Sequence, residues 1–167
     1  MPGKATHCQV VPDVLIPRPL ADLSRSVARA CCTLGLVVSL ALAAWATLTP
    51  QGTGWRWGDP LSELEWYATG LGSPATMVQL VGNLALLAAP AAFAVRLWPR
   101  LGHPPVLVVT ALAAGTSVEA LQWLLPIGRV VSPVDAMLNA AGAVLAATVA
   151  TRLHPSTWHA IQDGELR

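Results

Sequence analysis

The sequence predicts an all-α membrane protein, a bundle of four transmembrane helices with both termini in the cytoplasm. Three observations predict it. Hydrophobic residues make up 54% of the 167-residue chain and charged residues only 11%, against about 25% charged in an ordinary soluble domain. The few charges leave four long apolar windows, each close to the ~20 residues that cross the hydrocarbon core as a helix. Finally, eight of the ten Lys and Arg residues fall on one side if the spans alternate in direction, and the positive-inside rule makes that side cytoplasmic.

Residues 1–26 precede the first window. Pro2, Pro12, Pro17 and Pro19 interrupt any periodicity there, so a flexible cytoplasmic tail is expected. Residues 27–152 form the transmembrane domain. Its first span, "ACCTLGLVVSLALAAWATL" at 30–48, lies between Arg29 and Arg56. The "AWA" at Ala44–Ala46 has the form of a signal-peptidase site, but the polar region before the span is long for a signal peptide, so the helix is expected to be retained. Cys8, Cys31 and Cys32 form no disulfide framework. Together with His154 and His159 they match no usual zinc spacing, and no cofactor is expected.

A polar loop over 49–76 follows. Its Trp55, Trp57, Trp66 and Tyr67 suit the headgroup region. Within it, "DPLSELEWYA" reads as a short surface helix with Asp59 as N-cap and Pro60 at the first helical position. The loop is read as an interfacial anchor, with a ligand-contacting lid as the alternative. The second span covers 77–95, the third 105–125 and the fourth 134–151, and residues 153–167 form a short cytoplasmic tail. Net charge is only +1, so no basic field points to nucleic acid, and membrane lipids are the expected partners.

Polar residues then gather at one depth. On span three, Glu119 and Gln122 are spaced i, i+3 near the outer end. Span four begins with Asp135, and Asn139, Gly142 and Ala146 continue one stripe below it. On span two, Gln79 and Asn83 share a face. Arg129 lies on the short connection "PIGRVVSPV" and can fold back toward Glu119 or Asp135. A charge at mid-bilayer costs at least ~2.5–3.5 kcal/mol on insertion scales, so such groups normally face protein or water. The expected site is therefore an outward-facing polar cluster of Asn83, Glu119, Gln122, Arg129, Asp135 and Asn139. Each residue also has a structural reading. "SPVD" at Ser132–Asp135 has the capping-box arrangement, and the amides can bridge helices.

These residues carry a resemblance. "NLALLAAPAAF", "SVEALQ" and "GRVVSPVDAMLNAAGA" are similar to the VanZ-like family of small bacterial membrane proteins, with Asn83, Pro90, Glu119, Gln122, Arg129, Asp135, Asn139 and Gly142 at the matching positions. "TLTP" at Thr47–Pro50 also resembles the family's ending to helix one. The chain departs from the pattern at Ala88, Ala89 and Ala92, where Phe and Gly are usual, and at Ser132, where acids are common.

The resemblance implies a multi-pass plasma-membrane protein and an association with resistance to the glycopeptide teicoplanin. The leading expectation is a non-catalytic envelope protein whose pocket binds a lipid-linked cell-wall precursor or the antibiotic, with Arg129 meeting an anionic group and Glu119 balancing it. An enzyme using Glu119 or Asp135 on a lipid-linked phosphate or sugar is the alternative. A small transporter ranks last, because the inner half of span four, "AAGAVLAATVA", has no polar path.

Overall fold

The computed structural model describes residues 18–153. The two terminal segments, and with them Cys8, His154 and His159, lie outside the described residues. Six α-helices and a two-stranded sheet follow in order: α1 (Arg18–Leu48), β1 (Gly54–Trp57), α2 (Pro60–Thr69), α3 (Pro74–Leu86), α4 (Ala88–Leu97), a 3-10 turn (Pro99–Gly102), α5 (Pro104–Leu124), β2 (Ile127–Val131) and α6 (Pro133–Arg152). Four stretches are long and apolar enough to cross a membrane: Arg25–Leu48, Pro74–Leu97, Pro104–Leu124 and Pro133–Arg152. The four-span architecture is as the sequence predicts.

Prolines set most of the boundaries. Pro60, Pro74, Pro104 and Pro133 each open a helix, where a missing N–H costs nothing and the fixed φ is already helical. α1 starts at Arg18, inside the segment expected to be a tail. The second span is not one helix over 77–95 as expected. It breaks at Leu87, because Pro90 has no N–H to give the Leu86 carbonyl and its ring crowds that turn. The ladder resumes with the Ala91 N–H donating to Leu87 at 3.0 Å.

The α6 helix is the hub, packing against α3, α4 and α5, while α1 packs chiefly on α4. Lipid tails are as apolar as leucine, so these contacts depend on close van der Waals fit rather than on escape from water. Small residues supply that fit. Ala140, Ala143, Ala147 and Ala150 of α6 are all buried, against Leu87, Val95, Leu107 and Ala111. A Cβ on Gly142 would fall on the Leu84 carbonyl, and one on Gly115 would meet the Ala136 carbonyl, so backbones touch at both crossings. Gly35 lets the Phe93 ring lie against α1. The outward faces carry large exposed apolar side chains such as Leu34, Leu42, Val78 and Leu145, as a lipid-facing surface requires.

One end of the bundle holds the start of α1 and the end of α6. The other is closed by a cap made of β1, α2 and β2. The short connection 126–134 forms a parallel pair with β1: Gly54 is opposite Ile127, Arg56 opposite Val130 and Trp57 opposite Val131. The pair is tightened where Gly128, at φ +70°, lies directly on the Gly52 backbone, a place and conformation that exclude a side chain. The Trp55 indole N–H donates to the Trp123 carbonyl at 2.8 Å, and the Trp57 and Trp123 rings meet edge to face at 5.9 Å. The cap is thus fastened to the open end of α5.

Candidate functional site

Beneath the cap lies a cavity of about 900 Å³. Every element of the capped end contributes to its wall: Thr47 from α1, Arg56 and Arg129 from the strands, Glu63 and Trp66 from α2, Gln79 and Asn83 from α3, Glu119 and Gln122 from α5, and Asp135 from α6.

Asp135 is its most heavily bonded group. The Tyr67 hydroxyl donates to Oδ1 at 2.8 Å, the Asn83 amide donates to the same oxygen, and the Gln79 amide donates to Oδ2 at 3.1 Å. Three donors from two elements therefore hold one buried carboxylate, which is how a charge is tolerated away from water.

The other two buried or half-buried acids meet at Ser132. Its backbone N–H donates to Glu119 Oε2 at 2.9 Å, and its hydroxyl donates to Glu63 Oε2. The same hydroxyl accepts from the Val134 and Asp135 N–H groups at 3.0 and 3.4 Å. The capping box read from "SPVD" is thus half made. The N-cap side chain does its part, but the Ser132 N–H that Asp135 would accept goes to Glu119. Asp135 is thereby released to the cavity.

On α2, burial raises the Glu63 carboxyl above its ordinary 4.5, against the lowering effect of the Ser132 hydroxyl, and the nearby Asp135 charge raises it further. Burial, the bond to Asp135 and its charge likewise push the Tyr67 hydroxyl up. Asp59 caps α2 by accepting from the Ser62 N–H at 2.9 Å, which lowers its pKa.

Arg129 does not fold onto an acid as expected. Among the described residues it forms no ion pair with Glu119 or Asp135. Its Nε donates to the Thr49 carbonyl at 3.2 Å and its Nη2 to the Ala46 carbonyl, carbonyls that the end of α1 leaves open. Burial lowers its pKa, opposed by the charge of Glu119 across the cavity. Gln122 likewise ties the cavity wall to α1, donating to the Thr47 carbonyl at 3.3 Å.

The VanZ/LLP1 family model matches residues 24–154. The chain belongs to that family. No curated protein and no solved structure matches it. With four apolar spans, this VanZ/LLP1 protein is a multi-pass membrane protein.

Of the six residues expected at the site, Asn83, Glu119, Gln122, Arg129 and Asp135 line the cavity of this VanZ/LLP1 protein. Asn139 does not. It is 1% exposed, one turn below Asp135, and neither its amide oxygen nor its nitrogen has a partner among the described residues. Glu63, Tyr67 and Gln79 complete the network and were outside the expected set. Tyr67 was read with the three tryptophans as a headgroup anchor, yet it is buried and bonded, while Trp55, Trp57 and Trp66 are exposed. The signal that could have found Glu63 and Tyr67 is their i, i+4 spacing on a helix whose Asp59–Pro60 start was readable.

Proposed function

We propose that this protein sits in the plasma membrane with its capped end outside the cytoplasm, and that the cavity takes the polar head of an amphiphile. The class includes lipid-linked cell-wall precursors and lipid-tailed glycopeptides of the teicoplanin type. One observation carries the reading. The cavity is polar within, yet its wall includes Val78 and Gly82 of α3 and Ala46 of α1, all exposed on the apolar face of the bundle. α1 and α3 do not form one of the principal helix contacts. A headgroup can therefore rest among the cap residues while its hydrocarbon tail leaves sideways between α1 and α3. Arg129 and Arg56 would meet an anionic group of such a head. The orientation is supported by the arginines. Arg25, Arg29, Arg96, Arg100 and Arg152 lie at the end where α1 starts and α6 finishes, and Arg56 and Arg129 at the capped end.

Gly82 offers a clean test. A Cβ there meets nothing within 4 Å, so Gly82→Phe fills the mouth of the cavity without moving the backbone. Native mass spectrometry of protein released from bacterial membranes is expected to find a bound amphiphile on the parent chain and to find it lost from the variant. Equal lipid retention by the two proteins contradicts the reading.

A further inference from the structure

We propose that the head of the bound amphiphile carries a primary or secondary ammonium group, seated between Glu63 and Glu119. This names the ligand class of the cavity and rests on the amphiphile reading above.

Four carboxylates line the cavity (Asp59, Glu63, Glu119 and Asp135) and only two cationic groups do, Arg56 and Arg129. Arg129 spends its Nε and one Nη on the carbonyls of Thr49 and Ala46. The acids are not equally satisfied. Asp135 has three donors, two of them amides from one face of α3, and Asp59 is turned to the start of α2. Glu63 and Glu119 both accept from the same residue, Ser132, through Oε2, and the Glu63 carboxyl also lies within hydrogen-bonding reach of the Asp135 carboxyl. Among the described residues no second donor reaches Glu119. Glu119 is only 7% exposed, so its free oxygen has little access to bulk water. Like charges held on a common anchor, with Asp135 close by, repel one another unless a proton or a cation intervenes.

The cation the geometry suits has N–H groups. Carboxylates crowded on one wall need donors between them, and an ammonium presents several from a single centre. A quaternary ammonium has none and is usually held by a cage of aromatic rings, whereas Trp66 is the one aromatic residue in this wall. Arg56 and the remaining donors of Arg129 lie across the same cavity, so a zwitterionic head places its anionic group there and its ammonium at the acids.

The ammonium can come from a membrane lipid or from an amine-bearing amphiphile that arrives through water, and the experiment separates them. Purified full-length protein is placed in nanodiscs of phosphatidylglycerol, doped either with phosphatidylethanolamine or with its N-acetylated derivative, and retained lipid is read by native mass spectrometry. A water-soluble short-chain alkylamine is tested in undoped discs by displacement. The expected result is retention of the amine form of at least one probe, a tenfold or greater loss on N-acetylation, and a similar loss in both Glu63→Gln and Glu119→Gln. Glu63→Gln changes a side chain on the cap rather than in the bundle, so the test survives if Glu119→Gln folds poorly. Equal binding of amine and N-acetylated lipid, or unchanged binding in Glu63→Gln, overturns the ammonium site. If phosphatidylglycerol alone is retained in a Gly82→Phe-sensitive manner, the cavity still binds amphiphiles and only this inference fails. If no probe binds in that manner, both fail.

Discussion

The two ends of the α6 helix are held by different physics. Toward the termini it presents Ala143, Ala147 and Ala150, with Ala147 fully enclosed, and meets its neighbours through apolar atoms and bare backbone. Toward the cap it presents Ser132 and Asp135, which meet Glu63, Tyr67, Gln79, Asn83 and Glu119 through polar atoms. The first arrangement joins helices by close apolar contact, which suits a scaffold. The second leaves a cavity of about 900 Å³ walled by acids, amides and guanidinium groups. Asn139 stands at the border between them, buried and without a partner among the described residues. The lower half provides closeness, and the upper half provides directed donors and acceptors.

The sharpest way to break the scaffold half is at Gly142. Gly142→Val drives a side chain into the Leu84 backbone, and overpacking of this kind costs about 3 kcal/mol. Thermal unfolding in detergent is expected to show a loss of the folded population, with α3 and α6 separating first.

Asp135→Ala attacks the other half. It strands the Tyr67, Gln79 and Asn83 donors, at about 1–3 kcal/mol for buried groups left unsatisfied. Hydrogen exchange is expected to accelerate in α2 and the outer turns of α3 and to stay slow around Ala147.

A change of pH should separate the halves without mutation. The Glu63 carboxyl is raised by burial, and Asp135, Glu119, Tyr67, Asp59, Arg56 and Arg129 are the ionisable groups around the same cavity. An acid raised in the folded state favours its protonated form there. The resulting stabilisation is full below the ordinary 4.5 and is lost as pH rises through the higher folded value. Amides of α2 should therefore exchange more slowly relative to those of α6 in acid, after correction for intrinsic rates, and Glu63→Gln should flatten the difference. The smallest effect is expected from Trp55→Phe, which removes one indole N–H bond from cap to α5, about 1 kcal/mol at most for an exposed bond of this type. Its readout is the melting of the cap alone.

The two halves were also unequally legible in the sequence. Spans in lipid announce themselves by composition, and Asn83, Glu119, Gln122 and Asp135 stood out because polar groups within such spans are costly. Residues in the loop over 49–76 had no such contrast. Glu63 and Tyr67 sit among other polar and aromatic residues; their i, i+4 spacing puts them on one face of α2 but does not by itself mark that face as the buried one. The β1–β2 pair was hidden for another reason: strands of four and five residues, parallel and joined only through four intervening helices, leave no local pattern. The position of Arg129 was readable, but its partners were not, since the open carbonyls of Ala46 and Thr49 exist only once α1 has ended beside it. The break at Leu87 did have a signal in Pro90, which an apolar window alone overlooks.

The central claim is that the capped half binds an amphiphile and the scaffold half meets only bulk lipid. A photo-crosslinking amino acid placed at Trp66, in the cavity wall, and separately at Leu34, on the exposed face of α1, compares them directly in bacterial membranes. The account predicts a single dominant amine-bearing adduct at Trp66 and the membrane's average lipid composition at Leu34. The same average composition at both positions would contradict it.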